Sequence, residues 1–198
     1  MNDMARYFHD LADEWESYHR EAHPVQGAVA RIAGVKPGAC VLDVGCGTGT
    51  MEPTYLECGV SQIVAIDIAP RMIEIARRKF SDEPTITFEC RDVLTYEDAN
   101  RFDSVVVYNA YPHFLDKAAL AQKAARLLLP GGRFVVAHSM SKEVLNKHHS
   151  GIPAHLTSDL ATPSEEARVW QDYFTIDAMV DSPFFYCFGG VVKDGVLQ

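Results

Sequence analysis

One stretch constrains this chain more than any other: Val41-Leu42-Asp43-Val44-Gly45-Cys46-Gly47-Thr48-Gly49. It begins as a short apolar run, the pattern of a strand buried on both faces of a sheet. It then breaks into glycines at alternate positions, which take backbone angles other residues avoid and let a ligand lie against bare main chain. A strand, a glycine turn and a following helix are how a parallel α/β sheet builds a nucleotide site. A dinucleotide fingerprint requires GxGxxG. Counted from Gly45 its last position is Thr50, and counted from Gly47 it is Glu52. The Walker pattern ending in GK[ST] is absent as well. What remains is Asp43-x-Gly45-x-Gly47-x-Gly49, with Asp67 closing the next apolar run. A carboxylate at that place is positioned to bind the two hydroxyls of a ribose. The spacing therefore suggests an adenosine-containing ligand without a phosphate-binding glycine helix.

The rest of the chain supplies the matching alternation. Helical periodicity runs over 4–22, with Tyr7, Phe8, Leu11, Trp15 and Tyr18 forming one aromatic stripe. A second helix spans 25–34, and Lys36-Pro37-Gly38 turns the chain into the first strand. Strands are expected at 63–67, 85–90, 102–108 and 133–137, separated by helices over 50–58, 70–80 and 116–129, with Pro130-Gly131-Gly132 as a turn. The alternating pattern of 85–90 is that of an edge strand. Ser141 caps a short helix to about 148, 149–161 reads as a loop, and Thr162-Pro163-Ser164-Glu165 is a helix start. Runs at 174–180 and 184–192, joined closely, form an antiparallel hairpin. The expectation is a doubly wound α/β fold of three layers. It has a seven-stranded, mostly parallel sheet, an antiparallel C-terminal hairpin and an N-terminal helical cover. The whole is expected to be one domain: 1–34 the helical lid, 38–140 the cofactor-binding core, and 141–198 the substrate-side helix, loop and hairpin.

Composition narrows the partners. A chain of 198 residues has room for one domain with a real core. Its formal net charge of −9 argues against nucleic acid, because phosphate binding wants a basic face. No apolar run approaches the roughly 20 residues needed to span a bilayer, so no membrane partner is expected. The five scattered cysteines form no CxxC pair and read as reduced thiols, which with the polar, acidic N-terminus suggests a cytoplasmic protein. Cys46 reads as a small residue fitting the turn rather than a nucleophile.

These residues resemble the class I S-adenosylmethionine-dependent methyltransferases. The stretch from Val41 to Gly49 is similar to their first motif, Asp67 to their ribose-binding acid, and Arg91-Asp92-Val93 to their adenine-binding turn. Leu127-Leu128-Leu129-Pro130-Gly131-Gly132 resembles the turn before their fifth strand, and the hairpin matches their antiparallel seventh strand between the fifth and sixth. The resemblance implies S-adenosylmethionine as cofactor and S-adenosylhomocysteine as product. It places Asp43, Gly45, Cys46 and Gly47 around the methionine part, Asp67 on the ribose, and Ile68 with Asp92 and Val93 about the adenine. Asn109 would bound the methionine end. Ala69 stands where many relatives carry a helix-capping Ser.

A sulfonium is already an activated methyl donor, so positioning and exclusion of water can supply most of the rate. A general base is needed only for an acceptor that carries its proton near neutral pH. His113 follows the fourth expected strand and His138 the fifth, at the end of the sheet where ligands bind, and both are candidate bases. Tyr7, Trp15 and His19 on the first helix are candidate lid residues, Tyr111 a pocket wall, and Asn146 a substrate contact. His148, His149 and His155 show no metal-ligand spacing, so no metal is expected. Asn109-Ala110-Tyr111-Pro112 is not the N/D-P-P-Y/F motif of relatives that methylate amide or exocyclic amino nitrogens. A small-molecule acceptor is therefore expected, with the protein a monomer or homodimer. The alternatives are a protein or RNA acceptor, and a non-catalytic cofactor-binding scaffold.

Overall fold

A computed structural model describes residues 1–18, 24–97 and 102–195. Its centre is a seven-stranded sheet: β1 (Cys40–Val44), β2 (Gln62–Asp67), β3 (Ile86–Cys90), β4 (Phe102–Tyr108), β5 (Leu128–His138), β6 (Phe174–Ser182) and β7 (Phe185–Val192). The order across the sheet is β3-β2-β1-β4-β5-β7-β6. β7 alone runs against its neighbours β5 and β6; the other pairs are parallel. The helices are α1 (Asp3–Tyr18), α2 (Gln26–Ile32), α3 (Glu52–Glu57), α4 (Pro70–Lys79), α5 (Lys117–Leu127), α6 (Lys142–His149) and α7 (Pro163–Trp170). The chain order departs from β1 toward β3 on one side and toward β4 on the other. The carboxyl ends of β1 and β4 thus flank the crevice where such sheets take ligands.

Apolar runs bury on both faces as their composition demands. Leu42, Val64, Val105 and Phe134 belong to one side's core, and Val41, Ile63, Val106 and Val135 to the other. Trp170 of α7 stacks on Phe134 of β5, ring centres 4.1 Å apart and 12° from parallel. Caps end the helices where the sequence offers them: Asp116 accepts from the Ala119 N–H, Ser141 from Val144, and Glu165 from the Thr162 N–H.

Two local expectations change. The Pro130-Gly131-Gly132 turn lies within β5, whose pairing with β4 shifts register between Phe102 and Ser104; Gly131 takes φ 76° there. α3 is shorter than 50–58, because the glycine turn keeps the chain non-helical up to Met51. Two arginines of α4 reach its neighbours. Arg77 donates to the Phe88 carbonyl at 2.6 Å, tying α4 to β3, and Arg71 bonds Asp13 of α1 at 2.8 Å.

Candidate functional site

A cavity of about 430 Å³ opens at the carboxyl ends of the strands. One wall is Gly45 and Gly47 after β1, Asp67 and Ile68 after β2, and Asp92 and Val93 after β3; Asn109 and Ala110 follow β4. Opposite lie His113, Phe114, His155 and Leu156, and α1 covers the opening with Phe8 and Trp15.

The glycine turn is built for close approach. Gly45 has φ 72°, and a Cβ there would fall 2.7 Å from the Ala110 Cβ, so only glycine fits between β1 and β4. Gly47 has φ 57°, and a Cβ there would stand 3.5 Å from the Trp15 Nε1, which puts the cover directly over bare main chain. Cys46 is buried in the turn, and burial pushes its thiol well up, away from a reactive thiolate.

Asp67 Oδ2 accepts the Gly47 N–H at 3.0 Å and Oδ1 accepts the Ala69 N–H at 2.8 Å. Burial raises its carboxyl above the usual range while these main-chain donors oppose the rise. Each oxygen keeps further acceptor capacity toward the cavity, so the residue fits the hydroxyls of a ribose. Asp92 Oδ1 accepts the Leu94 N–H at 2.9 Å and shapes the turn after β3. Ala69 begins α4 without a side-chain cap, and its methyl is buried under α1 with Ala12, Met72 and Ile75. Asn109 sits at φ 55°, a left-handed conformation that Asn tolerates, while its Oδ1 accepts the Ser139 N–H at 2.9 Å. That bond fixes the ends of β4 and β5 beside the cavity.

His113 and His155 are the titratable rings at the far wall, and His113 is the one held by a main-chain carbonyl. Its Nδ1 lies 2.8 Å from the Leu156 carbonyl oxygen, which can only accept, so Nδ1 carries the proton and Nε2 the lone pair. Burial lowers its pKa to about 4, so the ring is neutral at physiological pH. Phe8 meets it edge-on at 4.7 Å between ring centres, and the His149 ring lies 4.9 Å away. His149 Nδ1 in turn contacts Thr157 Oγ1 at 3.0 Å, and its ring is half-buried.

Other sequence candidates lie elsewhere. His138 is fully buried beneath the sheet's end and does not line the cavity; neither ring nitrogen finds a partner among the described residues. Tyr111 is also fully buried, its hydroxyl bonded to Glu166 and to the Trp170 indole N–H at 3.2 Å each, so it is a packing residue. Asn146 bonds both main-chain groups of Leu160 and braces the 149–161 loop. Tyr7 packs on Phe8 outside the cavity lining, and His19 lies outside the described residues. No group of three or more His, Cys, Asp or Glu among the described residues is placed to hold a metal. Sequence reasoning missed Phe8, Phe114 and Leu156, because apolar cavity walls carry the same periodic signal as core.

Residues 41–132 match a protein family described as a methyltransferase domain. The chain is 34% identical over 103 residues to a ubiquinone biosynthesis O-methyltransferase of Xanthomonas oryzae, covering 50% of this chain and 43% of that one. It is 35% identical over 121 residues to a demethylmenaquinone methyltransferase of Tropheryma whipplei, covering 61% and 49%. The chain thus spans less than half the length of these curated relatives. Among solved structures, the N-methyltransferase NodS of Bradyrhizobium japonicum, in complex with S-adenosylhomocysteine, superposes with TM-score 0.76 at 14% identity, covering 98% and 100%. Magnesium protoporphyrin IX methyltransferase from Synechocystis superposes with TM-score 0.70 at 18% identity, covering 96% and 100%. These two establish the fold. By sequence, residues 41–132 are similar to a methyltransferase domain.

Proposed function

We propose that this chain binds S-adenosylmethionine in the cavity and transfers its methyl group to a small-molecule acceptor. The observation that carries the proposal is the composition of one cavity: the glycine turn, Asp67 and the Asp92–Val93 turn on one side, and a neutral, oriented His113 on the other. When bound, the cofactor supplies a sulfonium-activated methyl group. The protein's part is to orient and to exclude water. Asp67 receives the ribose hydroxyls, Gly45 and Gly47 give the methionine part main chain to lie on, and Ile68, Asp92 and Val93 frame the adenine. Phe8 and Trp15 close the opening. His113 Nε2 accepts the acceptor's proton, and the Leu156 carbonyl holds the ring in the tautomer that can do so.

Three observations support a small acceptor. The cavity is modest and covered by α1, the charge of −9 disfavours a polyanion, and the names of the curated relatives refer to ubiquinone biosynthesis and demethylmenaquinone. The test is to incubate the protein with methyl-labelled S-adenosylmethionine and fractionated metabolite pools, and identify labelled products by mass spectrometry. A labelled small molecule supports the reading. Label appearing only in protein or RNA, or nowhere, contradicts it.

A further inference from the structure

His113 can accept a proton at Nε2 only in one of its two neutral forms, the one whose proton sits on Nδ1. A neutral histidine in water keeps its proton mainly on Nε2, so the form the reaction uses is the minor one. Which nitrogen is bare depends on what the other meets. Here that is the Leu156 carbonyl oxygen, 2.8 Å from Nδ1. The tautomer of His113 therefore depends on where the main chain of Leu156 is held.

Leu156 belongs to a segment between α6 and α7 that has no helix or strand of its own. Freezing one residue of such a segment costs more than one hydrogen bond returns. The His113–Leu156 bond, and the bond from the Ser158 N–H to the Pro112 carbonyl at 2.9 Å, cannot fix it alone. Two side chains outside the cavity lining supply the rest. Asn146 on α6 accepts the Leu160 N–H on Oδ1 at 2.8 Å and donates from Nδ2 to the Leu160 carbonyl at 3.0 Å. Glu166 on α7 is 6% exposed, and its Oε1 accepts the Ala161 N–H at 3.0 Å. Its Oε2 accepts the Tyr111 hydroxyl at 3.2 Å, and Tyr111 opens the short turn that ends in His113. One carboxylate thus grips both the segment that carries the carbonyl and the segment that carries the ring. Lys117 Nζ, 2.8 Å and 3.0 Å from its two oxygens, balances its charge.

We propose that Asn146 and Glu166 are positioning residues for the transfer reaction: by fixing the Leu156 carbonyl against His113 Nδ1, they keep the lone pair on Nε2. This rests on the reading of the cavity as a methyl-transfer site with His113 as base. Neither side chain touches cofactor or acceptor; each acts through Leu156. When either grip is lost the segment drifts from the ring, and His113 reverts toward the Nε2–H form, which has no lone pair at the atom that must accept.

The test is nitrogen NMR of isotope-labelled histidine rings in the full chain at neutral pH, which separates a protonated ring nitrogen from a bare one. The His113 signals are assigned by their loss in His113→Gln. The unaltered protein is expected to show the Nδ1–H form of His113. Asn146→Ala and Glu166→Ala are each expected to shift it to a mixture dominated by Nε2–H, with S-adenosylmethionine affinity by calorimetry nearly unchanged. Glu166→Gln, whose amide oxygen still accepts the Ala161 N–H, is expected to retain the Nδ1–H form. Ser150→Ala, which removes the bond from the Ser150 hydroxyl to the Lys147 carbonyl at the end of α6, is expected to leave His113 as it was. An unchanged Nδ1–H form in a folded alanine variant at 146 or 166 overturns the proposal, as does the same shift in Glu166→Gln or Ser150→Ala. Should one of the two alanine variants fail to fold, the other decides. An unaltered protein whose His113 carries its proton on Nε2 overturns this inference alone, whereas one that binds no S-adenosylmethionine overturns the cofactor reading.

Discussion

His113 and His138 are both histidines at strand ends, and their surroundings give them different work. The Leu156 carbonyl orients His113 against the cavity, whereas nothing described satisfies either nitrogen of His138. Replacing His113 with Ala is expected to lower kcat by ~10²-fold or more and cofactor affinity little. Equal losses in kinetics and in binding by calorimetry would mark it as structural. Because its pKa lies near 4, kcat at saturating cofactor should stay level as pH falls from 8 to about 5 and decline only below that. A decline centred near 6.5 would contradict the buried, neutral ring. Burial likewise lowers His138 to about 3. Both rings have folded pKa values below their unfolded value of about 6.5, so the unfolded chain binds more protons between those limits. Their contribution is therefore full above pH ~6.5 and drains away as pH falls toward 3–4. His138→Leu removes two unsatisfied buried atoms, each of which costs ~1–3 kcal/mol. Urea unfolding should show this variant no less stable at pH 7 and more resistant at pH 5; a loss of several kcal/mol at pH 7 would show that the ring nitrogens have partners.

At the scale of elements, α1 is the piece whose position matters most to the site. Phe8, Ala12 and Trp15 pack on Ala69, Met72 and Ile75 of the α4 region, and the Asp13–Arg71 ion pair joins the same two helices at the surface. Exposed ion pairs contribute little, so the apolar seam dominates. Trp15→Ala should raise the Kd for cofactor several-fold while Asp13→Ala leaves it nearly unchanged, both read by calorimetry. The reverse ranking would show that charge, not packing, holds the cover. A second node joins α5, α7 and the segment after β4. Buried Glu166 takes Lys117 Nζ at 2.8 Å, the Ala161 N–H at 3.0 Å and the Tyr111 hydroxyl at 3.2 Å. Glu166→Ala strands a largely buried ammonium and is expected to cost ~3–5 kcal/mol in chemical denaturation.

Across the whole molecule, what the sequence made legible follows from how far each signal reaches along the chain. The parallel order, the edge position of β3 and the antiparallel β7 could be read because each rests on contiguous runs and short connections. The floor of the cavity was legible for the same reason, since Gly45, Gly47, Asp67 and Asp92 sit at strand ends that local pattern locates. The opposite wall was not, because it depends on where the 149–161 loop folds back. The Ser158 N–H donates to the Pro112 carbonyl, and Leu156 meets His113, across more than forty residues of chain. Tyr111 and Asn146 were read as site residues for want of that information: their polar atoms are spent on Glu166, Trp170 and Leu160.

All of this turns on whether Asp67 holds a ribose at the mouth of the glycine turn. The most direct measurement is calorimetric titration of S-adenosylmethionine into the protein and into Asp67→Ala. The expected result is binding to the first and an affinity at least about tenfold weaker in the second, as for loss of ~1.5–3 kcal/mol of charge-assisted hydrogen bonding. Equal affinity in a folded Asp67→Ala protein would contradict it.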